Sequence, residues 1–257
     1  MITLTSDFGY EDPYVAEMKG VILTINPNAN IIDITHGVEK FNIRMGAFML
    51  ASAAPYFPKG AVHLAVVDPG VGTERRAILV QTKQGFFVGP DNGILILAAQ
   101  NQGIDHTYEL TNPKFMLSKV SSTFHGRDVF APAAAYLDMG LKPSEFGPEI
   151  GDLVVPEFAS IKRKNGSLIG EVLHVDSFGN LITNISSKEI AQSKKVNIKL
   201  QNLSQNLTFG KTYAQAKPQQ PLALIGSHGF LEIVLNQGSA ATKFHVAAGD
   251  KIEVIPT

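Results

Sequence analysis

Cysteine is absent from all 257 residues. That removes disulfides, thiolate nucleophiles, iron–sulfur clusters and thiolate zinc sites together. An excess of either charge is also missing: 22 Lys and Arg face 23 Asp and Glu, a formal net charge of −1. Nothing therefore marks a polyanionic partner such as DNA, RNA or an acidic membrane surface. No apolar run approaches the roughly 20 residues of a membrane-spanning helix. The opening residues lack the basic and apolar segments of a secretory signal. Asn165-Gly166-Ser167 and Asn206-Leu207-Thr208 fit the glycosylation pattern, but without an export signal they read as chance. These absences predict a cytoplasmic enzyme or binding protein. What is present suits a globular fold: 44% hydrophobic and 18% charged residues, and a length that fits one large domain or two modest ones.

The first half alternates two periods. Residues 2–6, 30–35 and 61–67 are short β-type runs, the last nearly all apolar. Between them, Asp12-Pro13 reads as an N-cap followed by proline at the first helical position, opening a helix to about residue 25. Asn42 reads as the cap of a second helix, which stops before Pro58. Strand, helix, strand, helix, strand implies two crossover units and a buried, mostly parallel sheet. Further strands at 77–81 and 85–88, and helices near 93–99 and 129–139, extend the same layered α/β domain over residues 1–153. Residues 154–166, including the basic run Lys162-Arg163-Lys164, read as a solvated linker. Beyond them, β-type runs at 169–175, 181–185, 196–200, 222–225, 231–235 and 251–255 are separated by Asn, Gly and Gln. Only residues 187–193 suggest a helix. That spacing predicts a small antiparallel β-barrel or sandwich over 167–257.

In open parallel sheets, ligands bind where loops leave the carboxyl ends of the strands. Three such ends carry polar residues: Asp7-Phe8-Gly9, Asp33-Ile34-Thr35-His36-Gly37 and Asp68-Pro69-Gly70. Any one of these aspartates is more simply a turn residue; three at successive strand ends are harder to dismiss. The third loop reaches Arg75, and Ser121 to Asp128 places His125 beside a glycine ahead of a helical pattern. An acid, a guanidinium and a titratable imidazole suffice to hold and activate water. Asp-Phe-Gly at residue 7 lacks the preceding glycine-rich loop and lysine of a kinase, and Gly70-Val71-Gly72-Thr73 lacks the lysine of a phosphate loop. In the second half, Asp176-Ser177-Phe178-Gly179-Asn180 and Gly226-Ser227-His228-Gly229 are two β-turns by default. Their aromatic, amide and carboxylate groups would also suit a purine ring and an amino-acid head group.

Six strings in this order, Thr5-Ser6-Asp7-Phe8-Gly9, Val67-Asp68-Pro69-Gly70-Val71-Gly72, Pro90-Asp91-Asn92-Gly93, Thr123-Phe124-His125-Gly126-Arg127-Asp128 and the two turns above, resemble the S-adenosylmethionine (SAM) hydrolases. These are also called SAM hydroxide adenosyltransferases and are related to fluorinases and chlorinases. The resemblance spans almost the whole chain. It implies an N-terminal α/β domain, a C-terminal barrel-like domain, and a homotrimer holding SAM between neighbouring subunits. It implies that Asp68, Arg75 and His125 form the water-using trio and that Asp7 binds the ribose hydroxyls. It also implies that Phe41 lines the pocket, that Asp176, Phe178 and Asn180 contact the methionine amine and adenine, and that Ser227 contacts the carboxylate. His228 is a departure, since the halogenating relatives place arginine there.

By that resemblance, water or hydroxide attacks C5′ of the ribose and methionine departs, leaving adenosine. SAM is then the substrate, and neither metal nor cofactor is needed. His125, with an ordinary pKa of about 6.5, is the natural proton acceptor; the part played by Asp68 stays open. Two other readings remain. One is a metal-dependent hydrolase built on Asp7, Asp33, His36, Asp68 and His125, although no paired ligand spacing supports it. The other is a non-catalytic SAM- or adenosine-binding regulator.

Overall fold

The structure is a computed structural model that describes residues 1–190, 195–200 and 203–256. The chain divides into two compact units, Met1–Val155 and Pro156–Thr257.

In the first unit the elements run β1 (Ile2–Ser6), α1 (Tyr14–Ile25), β2 (Ile31–Thr35), α2 (Ile43–Ala53), β3 (Val62–Val66), β4 (Ala77–Thr82), β5 (Phe86–Pro90), α3 (Ile96–Gln102), β6 (Ile104–Glu109) and α4 (Ala131–Asp138). They build a six-stranded sheet in the order β2-β1-β3-β5-β4-β6. The pairs β2–β1, β1–β3 and β3–β5 are parallel, whereas β4 runs antiparallel to β5 and β6. Every residue of β1 and β3 is buried, as parallel strands under crossover helices must be. Two polar groups in that interior satisfy each other: Thr3 Oγ1 lies 2.8 Å from His63 Nδ1. The imidazole stacks on Phe87, and burial pushes its pKa down to about 4. Helix α1 packs on α4 and α2 on α3.

Strand β6 escapes the apolar-run reading because its first three residues, Ile104, Asp105 and His106, are exposed at the sheet edge, where polar residues are tolerated. Helix α1 begins after Pro13 with no side-chain cap, so Asp12 does not play the capping role its position suggested. Asn42 does cap α2, its side chain accepting from the Met45 N–H at 3.0 Å.

The second unit contains β7 (Lys162–Lys164), β8 (Ser167–Val175), β9 (Leu181–Ser186), α5 (Ser187–Ile190), β10 (Lys195–Leu200), β11 (Leu203–Gly210), β12 (Pro221–Ile225), β13 (Phe230–Leu235), α6 (Ala240–Phe244) and β14 (Lys251–Pro256). Strands β14-β10-β11-β12-β13-β9-β8 close into a seven-stranded barrel through β14–β8, with β7 appended to β8. Closure leaves no long open edge. The barrel is not wholly antiparallel, because β11 and β12 pair in parallel. The basic run expected in a linker is β7 itself, and residues 157–159 form a 3₁₀ turn. The helix expected over 187–193 is present as α5; residues 191–193 lie outside the described ones. No helix among the described residues is long and apolar enough to cross a membrane.

The two candidate caps give a paired stability test. Asn42→Ala should destabilise the first unit by about 1 kcal/mol, whereas Asp12→Ala should leave it unchanged within error. Denaturant unfolding of both variants checks this; equal losses would contradict the capping geometry.

Candidate active site

The carboxyl ends of β1 and β3 open into a cleft of about 580 Å³ in the first unit, lined by Asp7, Phe41, Asp68, Phe124 and His125 among others. Asp68 lies two residues beyond the end of β3. Its carboxylate accepts from Arg75 Nε at 2.9 Å (Oδ1) and 3.0 Å (Oδ2), and pairs closely with Nη2. Both side chains are nearly buried, 6% and 10% exposed. The guanidinium also lies over the Phe130 ring, 5.2 Å from its centroid. Removing one member of so enclosed a pair leaves the other charge uncompensated.

His125 joins them from a distant segment, its Nδ1 3.0 Å from Arg75 Nη2. Guanidinium nitrogens only donate, so Nδ1 must accept, which fixes a neutral ring with its proton on Nε2. Burial first, and the Arg75 charge second, hold the His125 pKa below its ordinary value. In this state the imidazole is a donor at its free nitrogen.

Two local devices bring the motifs together. Gly72 has φ +76°, and a Cβ there would sit 2.2 Å from the Ser122 carbonyl oxygen. Only glycine lets the loop after β3 approach the segment carrying His125. That segment is closed by the buried Asp128, which accepts from Ser121 N–H at 2.7 Å and binds Arg127. Residues 126–130 then wind as a π-helical turn before α4, a departure frequent at functional sites.

Asp7 is 6% exposed. Its Oδ2 accepts from the Phe41 N–H at 2.9 Å, and its other oxygen has no hydrogen-bond partner among the described residues. Phe41 takes φ +65° with its ring 69% exposed. A non-glycine residue in that region is strained, and the strain places an apolar ring at the cleft.

The second strand end, that of β2, does not contribute. Asp33 and His36 are not cleft residues. His36 is buried, with Nδ1 2.7 Å from Ser6 Oγ and Nε2 3.2 Å from Asp33 Oδ1. Asp33 in turn accepts from Lys19 and Tyr10. Among the described residues no three His, Asp or Glu side chains converge as a metal site would need. The five-residue metal set is therefore two separate clusters plus Asp7.

In the second unit, Asp176 Oδ1 accepts from the N–H groups of Phe178 and Asn180, and Oδ2 from Asn180 Nδ2, all at 2.9 Å. The carboxylate thereby shapes the turn that leaves Phe178 78% exposed. Phe178 and Asn180 line a pocket of about 570 Å³ with Tyr213, Gln237 and Ser239. Ser227 and His228 lie exposed on the β12–β13 turn and do not line it. The β12–β13 turn is tied to the end of β9, where the Gly229 carbonyl accepts from the Ser187 N–H at 2.8 Å. Tyr213 was missed because it sits in an irregular connection, where an aromatic residue carries no periodic signal.

Residues 2–147 match the SAM hydroxide adenosyltransferase N-terminal domain and residues 170–253 the C-terminal domain. The chain belongs to the SAM hydroxide adenosyltransferase family. It is 39% identical to a protein of Salinispora arenicola (strain CNS-205) named (R)-S-adenosyl-L-methionine hydrolase, over 98% of this chain and 97% of that one. A solved structure of an uncharacterized conserved protein from Thermotoga maritima superposes with a TM-score of 0.87 at 39% identity, covering 99% and 100% of the two chains. A more distant relative is a protein of Actinoplanes sp. (strain N902-109) named fluorinase, 27% identical over 99% of this chain and 97% of that one.

The tautomer assignment is testable by NMR. The His125 ring should titrate below 6.5 and show the Nε2–H tautomer. Arg75→Met should move the titration upward, because it removes the cation that disfavours imidazolium. An unmoved midpoint would contradict the contact.

Proposed function

We propose that this protein hydrolyses S-adenosyl-L-methionine to adenosine and L-methionine by attack of a water molecule on C5′ of the ribose. The observation that carries the reading is the Asp68–Arg75–His125 constellation on the cleft beside Asp7, in a chain of this family. The S. arenicola relative's name specifies the (R) form, and we extend that preference to this chain.

The leaving group is a neutral thioether, so no acid is needed to expel it. The requirement is an oxygen aligned behind C5′, and holding it there removes much of the entropic barrier. The Nε2–H of His125 donates to that oxygen and aims a lone pair at carbon. As the C–O bond forms, the attacking oxygen becomes strongly acidic, so the Asp68 carboxylate is base enough to take its proton. The other hydrogen stays on the 5′-hydroxyl of adenosine. Arg75 holds both Asp68 and His125 in place for these steps. Asp7, with one oxygen already fixed by the Phe41 N–H and the other open, is placed to accept from ribose hydroxyls.

The two half-sites lie in separate units: the trio with Asp7 and Phe41 in one, the Asp176–Asn180 turn in the other. The homotrimer implied by the family resemblance would join half-sites of neighbouring subunits around SAM. Ser227 and His228 would then meet the methionine carboxylate, His228 more weakly than an arginine. The setting is cytoplasmic, and the reaction as proposed needs neither metal nor cofactor.

Reaction in ¹⁸O-water should label the 5′-hydroxyl of adenosine and leave methionine unlabelled; label in methionine, or release of methylthioadenosine, would overturn the chemistry. Arg75→Ala should lower kcat by about 10²–10³-fold with SAM affinity little changed. Activity should survive dialysis against chelator. The (R) sulfonium form should be consumed faster than the (S) form, and the mass in solution should be three times the 27.7 kDa chain.

A further inference from the structure

The acidic groups of the second unit leave one strong acceptor unused. On β13, Leu231, Ile233 and Leu235 face the barrel core, and Glu232 points to the opposite face, where it is only 5% exposed. Its carboxyl lies against the β12–β13 turn: a Cβ on Gly226 would fall 1.7 Å from Glu232 Oε1. The bare glycine is what leaves room for it.

Among the described residues this carboxyl has no hydrogen-bond partner and no cation beside it. Its one charged influence is Asp176, another acid, and the two together act on Tyr213 of the adjoining pocket. Burial, and then the Asp176 charge, push the Glu232 carboxyl up to about 7. A buried carboxyl facing a second acid is costly to keep unless a cation meets it.

Donor arithmetic identifies the cation. A carboxylate offers about four lone-pair positions, and Asp176 already spends three on its own turn. An ammonium brings three N–H donors, more than Asp176 alone has room for. A metal ion is the wrong match, since no three-residue ligand set forms among the described residues.

We infer that Glu232, together with Asp176, receives the α-ammonium of the substrate and selects for an intact amino-acid head group. This rests on the proposed substrate, and it adds a recognition residue that the turn motifs do not contain. Glu232 touches substrate without taking part in the displacement at C5′.

The test compares SAM with its analogue in which hydrogen replaces the α-amino group, using the full-length protein and calorimetric Kd values. Wild type should bind SAM at least tenfold more tightly than the analogue. Glu232→Gln, which keeps the shape and removes the charge, should weaken SAM about tenfold and leave the analogue and adenosine unchanged. Glu232→Asp, with the charge one carbon back, should fall between them, and it decides the matter should the glutamine variant fail to bind adenosine. Equal Kd values for SAM and analogue in wild type, or the same loss for both ligands in either variant, overturn the inference. A wild type that discriminates the two ligands yet never releases adenosine overturns the hydrolysis and leaves the ammonium site standing.

Discussion

The guanidinium of Arg75 is the contact on which the candidate site depends. It binds Asp68 along one edge and His125 at Nη2, so a single planar group sets the spacing of an acid and an imidazole 57 residues apart in sequence. Planarity matters: two fixed edges orient two partners, which an ammonium on a flexible stem does not do. The guanidinium also dictates chemistry. By donating to Nδ1 it decides the His125 tautomer, and after burial, the larger cause, its charge further disfavours protonation of the ring. The role of His125 therefore follows from its neighbour more than from imidazole itself.

That contact in turn depends on backbone. The loop after β3 and the segment before α4 meet only because Gly72 lies against the Ser122 carbonyl, and that segment keeps its shape because Asp128 ties its start to its end. Phe130, at the end of the π-helical turn, supplies the ring beneath the guanidinium. Three features of the sequence that look like separate turn signals are one packed joint.

The fold was legible where burial is two-sided. Strands β1 and β3 are short apolar runs because helices cover them, and their bounds could be read almost to the residue. Strand β6 was invisible because an edge strand has no such constraint, and β7 looked like linker because three consecutive basic residues rarely signal pairing. In the site, Asp7 and Asp68 were readable from strand-end position. Asp33 and His36 were misleading for the same reason, since their side chains turn to Ser6 and Lys19 instead of the cleft. Position in the chain tells which loop a residue enters, but not which way its side chain points. Glu232 illustrates the limit: in an alternating strand it reads as an outward, solvated residue, and only the covering of that face makes it buried.

Charge placement differs between the two units, each taken by itself. In the first unit Asp68 cancels Arg75, and burial and the Arg75 charge favour the neutral form of His125, so the trio carries no net positive charge that would repel a sulfonium. In the second unit, among the described residues, neither Asp176 nor Glu232 has a lysine or arginine partner. On the proposed reading, the trio would take the reacting end of the substrate and the Asp176–Glu232 pair its amino-acid end. An uncompensated cation at the trio would repel a sulfonium, whatever else the cleft supplied. In the proposed displacement the sulfonium and carboxylate charges disappear together, because Asp68 takes the proton as the C–S bond breaks, and a transition state that loses charge in this way is favoured by low polarity.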